Sequence, residues 1–366
     1  MTAAREPRST PTPDLSLLPV KRLTCKPRPN KETAILIGAG VRSNLEEELR
    51  NINQQGTVLA LIDPEVRQLH PSIIHSDWRC IEVAGGETCK SFRALEDVLR
   101  QMAQWHLDRN TVLVAIGGGT IGDLGGLVAT LYLRGIELVQ VPTTLLAMLD
   151  SSVGGKTAIN IEEGKNLIGS FWPPKVMLAD VELTESLPHE QLLSGLAEAI
   201  KMGIGFNPEL FDLLEQRRDE ILSGDTELLT AIVTMAIESK IETVEADPFE
   251  TTGRRQCLNL GHTLAHALEA QCDFQILHGH AVAQGLHFSL STAVSHDLLS
   301  VSEADRCHAL LQAYGFSLEP LPANQDLARF FAADKKMSAG QLHFVMPTGI
   351  GTCRTVPCAP DSLAPS

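Results

Sequence analysis

Short apolar runs alternate with helix-patterned segments in the first half of this chain, and this alternation constrains the fold more than any other feature. An amphipathic stretch at 91–106, for example, lies between two of the runs. The runs occur at 34–37, 58–62, 112–116, 138–141 and 176–178. Strands that are connected by crossover helices pair in parallel. The sequence therefore predicts an α/β domain with a mostly parallel sheet.

The pattern changes near Leu187, where longer helical segments replace the short apolar runs. These segments occur at 190–202, 208–222, 227–244, 262–271 and 281–296. Because 366 residues exceed what one hydrophobic core usually supports, we predict an α/β domain at 34–187 and a mostly α-helical domain at 188–366. Residues 1–33 contain six prolines and lack an apolar block, so we predict a disordered extension there.

The overall charge and the cysteines narrow the functional class. A net charge of −15 and a pI near 5.2 argue against nucleic acid and anionic membranes as partners, since both attract basic surfaces. No apolar run approaches the ~20 residues that span a bilayer. The eight cysteines are scattered without a Cys-x-x-Cys pair, which favours free thiols in a reducing compartment. We expect a cytoplasmic enzyme that acts on a small molecule.

A glycine-rich turn follows the apolar run at 112–116. Three glycines at 117–119 let backbone amides approach a phosphate without interference from a Cβ atom, and a helix that starts there favours an anion. Their spacing departs from G-x-G-x-x-G, so a purely structural tight turn is an alternative. Asp63 and the pair Thr143-Thr144 end other runs, where ligands bind in open α/β sheets. Together they favour a Rossmann-like site for a phosphorylated cofactor.

Two lysines lie in glycine-bracketed loops, Lys156 after a glycine pair and Lys165 after Gly164. Glycine costs conformational order, and lysine gains nothing from burial unless it meets an anion. These lysines therefore favour phosphate or carboxylate binding, with a solvated loop as the alternative. Arg134 follows an apolar segment and could supply a bidentate grip on the same anion.

A histidine-rich group suggests a metal site. His262 and His266 are four residues apart and share one helix face, but a threonine replaces the Glu of the zinc-protease pattern H-E-x-x-H. A single pair of this kind is often structural. His278 and Glu198 supply two further donors, and three ligands with one open position suit a catalytic divalent metal. Lys201, three residues after Glu198, would meet a substrate anion.

With these residues in place, the chain resembles the 3-dehydroquinate synthase family of sugar phosphate cyclases. The resemblance covers residues 34–352 and is carried by seven motifs. They are Gly-Gly-Gly-x-Ile-Gly-Asp, Val-Pro-Thr-Thr-Leu-Leu-Ala, Asp-Ser-Ser-Val-Gly-Gly-Lys-Thr, Gly-Lys-Asn-Leu-Ile-Gly, Gly-Leu-Ala-Glu-x-Ile-Lys, Asn-Leu-Gly-His-Thr and Asp-Lys-Lys. Members convert 3-deoxy-D-arabino-heptulosonate 7-phosphate to 3-dehydroquinate and phosphate, a carbon–oxygen lyase step of the shikimate pathway. They use tightly held NAD and one divalent metal, zinc or cobalt.

The resemblance implies a role for each matching residue. The metal ligands would be Glu198, His262 and His278. The NAD site would comprise Asp63, Glu87, Lys90, Gly118, Gly119, Asp123, Thr143, Thr144, Lys165, Leu183, Thr184 and Ser186. The substrate would be held by Arg134, Asp150, Lys156, Asn166, Lys201, Lys240, Arg255, Asn259, His266 and one lysine of the pair Lys335-Lys336. The catalytic residues would be His266 and Glu250, which handle protons, with Lys156, Lys240, Arg255 and Asn259.

The implied chemistry explains this combination of groups. NAD takes a hydride from a carbon whose hydroxyl is polarised by the metal, and the resulting ketone acidifies the neighbouring C–H bond so that phosphate leaves. The hydride then returns, and an intramolecular aldol step closes the ring. A highly anionic sugar acid phosphate accounts for many lysines and arginines in an acidic protein. The resemblance also implies a homodimer.

The sequence departs from the family pattern at two places. His280 stands where members usually carry glutamate, two residues after the third ligand, which leaves the tuning of His278 open. One extra residue between Lys240 and Arg255 leaves the position of Glu250 open as well.

Three other functions remain alternatives. Sister cyclases that form valiolone-type or deoxy-inosose products share the chemistry, but Arg255, Asn259 and His266 match the dehydroquinate type better. A metal-dependent polyol or glycerol-phosphate dehydrogenase would not need so many lysines around its substrate. A non-catalytic scaffold is disfavoured because every catalytic position of the family has a counterpart here.

Overall fold

The computed structural model describes residues 20–28, 31–248, 250, 253–272, 275–319, 337–338 and 341–358. The strands of the first domain are β1 (Lys21–Arg28), β2 (Lys31–Gly38), β3 (Val58–Ile62), β4 (Arg79–Glu82), β5 (Val112–Gly117), β6 (Glu137–Pro142), β7 (Lys156–Ile161), β8 (Gly164–Phe171) and β9 (Val176–Asp180). Seven of them form one sheet in the order β1-β2-β9-β6-β5-β3-β4, while β7 and β8 form a separate hairpin.

Four helices accompany this sheet, namely α1 (Leu45–Ile52), α2 (Pro64–Leu69), α3 (Phe92–Gln104) and α4 (Gly119–Leu131). The pairs within the sheet are parallel, except that β1 runs antiparallel to β2. All five predicted apolar runs form strands, in β2, β3, β5, β6 and β9. Their residues are almost all buried, because a parallel sheet is covered on both faces. The prediction of a mostly parallel α/β domain is therefore confirmed.

The carboxyl ends of the central strands bring the predicted cofactor residues to one edge of the sheet. Gly117 pairs with Pro142 where β5 and β6 end. The amide of Thr143 donates to the carbonyl of Gly117 at 2.9 Å, and that of Asp63 donates to the carbonyl of Ile116 at 3.2 Å. The glycine turn then leads directly into α4. The turn, Asp63 and Thr143 thus lie side by side, as the sequence predicts.

The disordered segment predicted at residues 1–33 includes residues that form a strand. Residues 21–28 form β1, which pairs with β2 so that Leu23 lies opposite Ile35. Cys25 is buried in the core, and Leu23 packs against that core. Alternate apolar residues therefore outweigh the prolines, which an edge strand tolerates. The prediction of disorder is wrong for this strand, and residues 1–19 lie outside the described residues.

The second domain is mostly helical. Its elements are α5 (His189–Gly205), α6 (Pro208–Gln216), α7 (Arg218–Leu222), α8 (Thr226–Ala246), α9 (His262–Gln271), α10 (His278–Ser295), α11 (Val301–Ala313), β10 (Met337–Ser338), β11 (Gln341–Gly349) and β12 (Thr352–Cys358). The predicted helix at 208–222 is broken at Arg217, whose φ of −117° and ψ of 26° are not helical. The small sheet β10-β11-β12 was not predicted. Among the described residues, no helix is both long and apolar enough to span a bilayer.

The two halves of the chain share one hydrophobic core. Ile35 and Leu178 of the sheet belong to the same buried cluster as Leu196, Ile237 and Phe288 of the helical domain. The boundary at 187/188 coincides with the start of α5 at His189. The division into domains at that boundary stays a prediction, and the shared core holds the helices firmly against the sheet.

Candidate active site

Three side chains from three helices converge in the helical domain. Glu198 lies within α5, while His262 and His278 are the first residues of α9 and α10. Oε1 of Glu198 lies 3.5 Å from Nε2 of His262 and 3.4 Å from Nε2 of His278. Ligand atoms that bind a tetrahedral ion at about 2.0–2.2 Å lie roughly 3.4 Å from one another. The spacing of these donors therefore fits a divalent metal.

Close helix packing sets this spacing. A Cβ atom on Gly279 would lie only 2.3 Å from the carbonyl oxygen of Ser194, so α10 approaches α5 closely beside His278. The amide of Gly279 also donates to Oγ of Ser194 at 3.0 Å. A Cβ atom on Gly285 would lie 1.9 Å from the carbonyl oxygen of Gly261, which brings α9 equally close to α10. A larger residue at either glycine would push the ligand-bearing helices apart.

Contacts at the far ring nitrogens orient both histidines. Nδ1 of His262 lies 3.1 Å from the carbonyl oxygen of Leu260, and Nδ1 of His278 lies 3.4 Å from Oε1 of Glu269. A proton held at Nδ1 leaves Nε2 free to bind a metal. Burial and the nearby ammonium of Lys201 keep the pKa of His262 well below 6.5, so this ring is neutral and ready to act as a ligand.

The Glu198 carboxylate is almost fully buried. Its Oε2 lies 2.5 Å from Nζ of Lys201, and both side chains are 1% exposed. Burial opposes its ionisation, but Lys201 and the two histidines hold the pKa of Glu198 below its usual range. Beyond Lys201 and the two histidines, neither carboxylate oxygen has a hydrogen-bond partner within the described part of the chain. An ionised carboxylate whose Oε1 faces two imidazole nitrogens is a suitable metal ligand.

Acidic and basic side chains pair next to this group. Nζ of Lys240 lies 2.5 Å from Oδ1 of Asp150. Burial raises the pKa of Asp150, yet Lys240 and Lys201 outweigh this effect and hold the carboxyl well below its usual range. Burial lowers the pKa of Lys240, although the Asp150 carboxylate opposes this shift. The buried Lys201, Lys240 and Glu198 thus lie in one cluster with the partly exposed Asp150, of the kind that perturbs pKa values at functional sites.

A second group of predicted substrate residues assembles around Glu250. Its Oε2 lies 2.7 Å from Nζ of Lys156, and its Oε1 accepts a 3.5 Å contact from Nδ2 of Asn259. Glu250 has a φ of 59°, a backbone conformation that is uncommon outside glycine and often marks a functional position. Arg255 donates to the carbonyl of Gly154, two residues before Lys156. The structure therefore joins these predicted residues.

The predicted cofactor residues form a network at the carboxyl edge of the sheet. Lys90 is buried and bonds to Asp123 at 2.6 Å and to Asn166, which the sequence assigned to the substrate. Burial raises the pKa of Asp123 to about 6, although Lys90 opposes the shift. Lys165 lies 3.4 Å from Oε1 of Glu87. These contacts link β8 and α4 to the loop after β4.

Other predicted residues have structural partners or lie apart. Asp63 is the N-cap of α2, because its side chain accepts a hydrogen bond from the amide of Glu65. Its other carboxylate oxygen accepts a hydrogen bond from the amide of Gly85. Leu183 is fully buried in the core, so only its backbone is available to a cofactor. Thr184 donates to the carbonyl of Val181.

The remaining predicted residues are Thr144, Ser186, His266, Arg134 and the pair Lys335-Lys336. Thr144 lies next to the glycine turn, since a Cβ atom on Gly118 would lie 3.3 Å from its Cγ2. Oγ of Ser186 lies 3.0 Å from Nε2 of His70. The ring of His266 is exposed, with its centroid 5.4 Å from that of His262. Arg134 is exposed beyond α4 and forms no hydrogen bond or ion pair with the other predicted substrate residues among those described. Lys335 and Lys336 lie outside the described residues.

Glu269 is a site residue that sequence reasoning missed. It is 4% exposed and contacts both His278 and Lys165. His262, His266 and Glu269 follow a spacing of four and then three residues, which places them on one helix face. That spacing was the available signal. His280, whose replacement of the family's glutamate left the tuning of His278 open, contacts Glu190 at 3.3 Å.

Two adjacent sequence families match this chain. The family described as 3-dehydroquinate synthase N-terminal matches residues 80–194, and the one described as 3-dehydroquinate synthase C-terminal matches residues 195–337. The chain belongs to the 3-dehydroquinate synthase family. A curated relative from Prochlorococcus marinus, named 3-dehydroquinate synthase, is 34% identical over 94% of this chain and 98% of its own length. Other relatives with this name reach 41% identity over 74% of the chain.

Solved structures of related cyclases have the same fold. A 2-deoxy-scyllo-inosose synthase in complex with carbaglucose-6-phosphate, NAD⁺ and Co²⁺ has a TM-score of 0.82 at 21% identity, over 94% of this chain and 98% of its own. A 2-epi-5-epi-valiolone synthase from Streptomyces hygroscopicus with NAD⁺ and Zn²⁺ also scores 0.82 at 24% identity, over 92% and 95% of the two chains. At these identities the likeness establishes the fold.

Proposed function

We propose that this protein is a 3-dehydroquinate synthase, a carbon–oxygen lyase that converts 3-deoxy-D-arabino-heptulosonate 7-phosphate to 3-dehydroquinate and phosphate. The observation that carries the proposal is the Glu198–His262–His278 group, next to the Lys201–Lys240–Asp150 cluster. A metal-ligand set beside buried cations suits a substrate that has both a hydroxyl to be polarised and acidic groups to be held. Family membership supports the same activity.

The metal site fits zinc or cobalt through its donors and their spacing. Two imidazole nitrogens and one carboxylate oxygen form a set known from catalytic zinc sites, and all lie within 4.8 Å of one another. When bound, the metal would polarise a substrate hydroxyl and NAD would accept and later return a hydride. Glu198, His262 and His278 would hold the ion, with Lys201 pairing the carboxylate oxygen that faces away from the histidines.

The cofactor would lie along the carboxyl edge of the sheet. The glycine turn at 117–119 and the N-terminus of α4 present backbone amides and a partial positive charge to a pyrophosphate. Asp63 ends β3, where it can hold a ribose hydroxyl while it caps α2. Lys90, Asp123 and Lys165 would orient the remainder of the cofactor through their network.

The substrate would lie between the metal group and the Glu250 group. Lys156 is half-exposed and has Glu250 as its partner, so a substrate phosphate would compete with that carboxylate for the ammonium. Arg255, Asn259 and Lys240 would hold the carboxylate and hydroxyls. His266 is exposed next to His262, where it can take up or release a proton during elimination.

We also propose, by analogy with the family, a cytoplasmic homodimer. Its acidic pI of 5.2 supports a small-molecule partner rather than nucleic acid or an anionic membrane. Size-exclusion chromatography with light scattering tests the homodimer, and a monomer at micromolar concentration would contradict it.

A paired assay tests the reaction. Free phosphate and reduced-nicotinamide absorbance are followed in one reaction with the heptulosonate phosphate, and in parallel with sedoheptulose 7-phosphate and glucose 6-phosphate. We expect one phosphate per heptulosonate phosphate consumed, with flat absorbance, because the hydride is returned in every turnover. Accumulation of NADH without phosphate would support a dehydrogenase instead. If either of these two sugar phosphates, which lack the carboxylate, is turned over in preference, the result would support a sister cyclase.

A further inference from the structure

One carboxylate of the helical domain contacts both the metal group and the cofactor network. Oε1 of Glu269 lies 3.4 Å from Nδ1 of His278 and 3.2 Å from Nζ of Lys165. Lys165 in turn lies 3.4 Å from Oε1 of Glu87. The side chain of Glu269 is only 6% exposed and that of Lys165 is 20% exposed, so water screens the contact between these two weakly, whereas Glu87 is 40% exposed. The chain His278–Glu269–Lys165–Glu87 therefore connects the two proposed sites.

The contact with His278 bears on the metal. A carboxylate that accepts the Nδ1 proton fixes the tautomer and the ring orientation, and makes Nε2 a better donor. Among the described residues, the other histidine ligand, His262, has only the carbonyl oxygen of Leu260 at its Nδ1. The charged partner belongs to His278, whose side chain is 27% exposed against 9% for His262. The less buried ligand is thus the one that a carboxylate orients.

The contact with Lys165 bears on the cofactor. Lys165 lies on β8 of the β7–β8 hairpin, whose residues 165–170 are partly or fully exposed. Glu269 reaches this hairpin from α9, and Glu87 reaches it from the loop before α3. A lysine held between two carboxylates in this way presents its ammonium in one direction. The position of Glu269 therefore influences where Lys165 can meet a cofactor.

We propose that Glu269 is a positioning residue that couples metal binding to NAD binding. The proposal rests on the proposed function, because it takes the metal and NAD sites from there. With His278 holding a metal, the Glu269 carboxylate would be fixed against Nδ1 of His278 and would hold Lys165 in its cofactor-binding position. By thermodynamic reciprocity, NAD must then raise the affinity for the metal by the same factor by which the metal raises the affinity for NAD.

Direct binding measurements test the coupling without an activity readout. The metal-depleted chain is titrated with Zn²⁺ against a chromophoric chelator, with and without saturating NAD, and NAD affinity is measured calorimetrically with and without Zn²⁺. For the unmodified chain we expect saturating NAD to raise the affinity for Zn²⁺ about tenfold, and Zn²⁺ to raise the affinity for NAD by the same factor. In Glu269→Gln we expect Zn²⁺ affinity to fall about 10- to 100-fold and the mutual effect to disappear.

Two further variants separate the two contacts of Glu269. Glu87→Gln removes the charge of the second carboxylate that contacts Lys165 and leaves His278 untouched, so NAD affinity should fall while Zn²⁺ affinity in the absence of NAD stays unchanged. Lys165→Met keeps the contact between Glu269 and His278, so Zn²⁺ affinity should stay within about twofold and the coupling should be lost. Lys165→Met also serves if Glu269→Gln does not fold, since it lies in the partly exposed hairpin.

The outcomes distinguish the inference from the proposed function. If Glu269→Gln or Lys165→Met retains full mutual strengthening of Zn²⁺ and NAD, the coupling role of Glu269 is overturned while both sites stand. If Glu269→Gln loses coupling but keeps Zn²⁺ affinity, the positioning of His278 is overturned. If the unmodified chain binds neither Zn²⁺ nor NAD, the proposed function itself fails.

Discussion

Nε2 of His278 lies 3.4 Å from Oε1 of Glu198, a separation that two ligands of one tetrahedral ion adopt. The two residues come from α10 and α5, whose approach is fixed by the contact of Gly279 with Ser194. The distance is therefore a property of the packed helices. Helix packing therefore fixes the positions of the ligands, which favours tight binding because little ordering remains to be done on binding.

Metal removal provides the first prediction. Exhaustive chelation should abolish turnover, and Zn²⁺ or Co²⁺ should restore it. His262→Ala should lower Zn²⁺ affinity by more than about 100-fold, because a three-ligand site loses one donor. Atomic absorption after dialysis measures the metal content, and circular dichroism checks the fold. His75→Ala, at an exposed histidine of the first domain, is the control and should keep its metal. Metal retained in His262→Ala would remove this residue from the ligand set.

Lys156 provides the second prediction. Its half-exposed ammonium pairs with Glu250, and we assign it to the substrate phosphate. Lys156→Ala should lower kcat/KM for phosphate release about 10- to 100-fold, the loss expected for a hydrogen bond to a charged group. NAD affinity should stay unchanged. Lys21→Ala, which removes a surface pair with Glu238, is the matched control. Loss of NAD binding in Lys156→Ala would instead assign this lysine to the cofactor.

The sequence predicted the metal group but not the residue that orients it. Glu198, His262 and His278 are recognisable because their residue types are typical of metal ligands. Glu269 acts through contacts with α10 and β8, which depend on how distant segments pack. A buried carboxylate of this kind is visible in the sequence only as a helix-face neighbour of His262.

The fold was predicted where hydrophobic periodicity dominates. Buried parallel strands produce uninterrupted apolar runs, so all five runs were recognised. The edge strand β1 was not, because Leu23 and Cys25 are the two residues that pack against or within the core amid charged residues and prolines. In the sheet β10-β11-β12, strand β12 is half-exposed and gives a weak pattern, while the buried apolar run of β11 at Phe344, Val345 and Met346 is short.

His280 provides the third prediction. Its ring contacts Glu190 at 3.3 Å and packs edge-on against Phe316, rather than reaching the metal ligands. Because His280 does not reach the metal ligands, we expect His280→Glu to retain Zn²⁺. The new carboxylate would repel Glu190, but Glu190 is exposed, so the free energy of unfolding should fall by less than about 1 kcal/mol. Adding Glu190→Lys should restore the lost stability. Loss of Zn²⁺ in His280→Glu would show that this position belongs to the metal site after all.

The pair His287–His308 provides the last prediction, which concerns pH and stability. Nδ1 of His287 on α10 lies 3.0 Å from Nε2 of His308 on α11. Burial, together with His308, lowers the pKa of His287 to about 4, and burial lowers the pKa of His308 despite Asp305. An unfolded histidine titrates near pH ~6.5, so the unfolded chain binds more protons between about pH 6.5 and 4. The free energy of unfolding should therefore fall as the pH falls through this window.

Urea unfolding of the metal-free chain at pH 7.5, 6.0 and 5.0 measures the effect. His287→Gln removes the group whose pKa is lowered. Between pH 7.5 and pH 5.0 its free energy of unfolding should therefore fall less than that of the unmodified chain. Other titrating groups, such as His278, are common to both chains and cancel in the difference. His75→Gln replaces an exposed histidine and should follow the unmodified chain. Parallel pH dependence in His287→Gln and the unmodified chain would show that this pair does not titrate on unfolding.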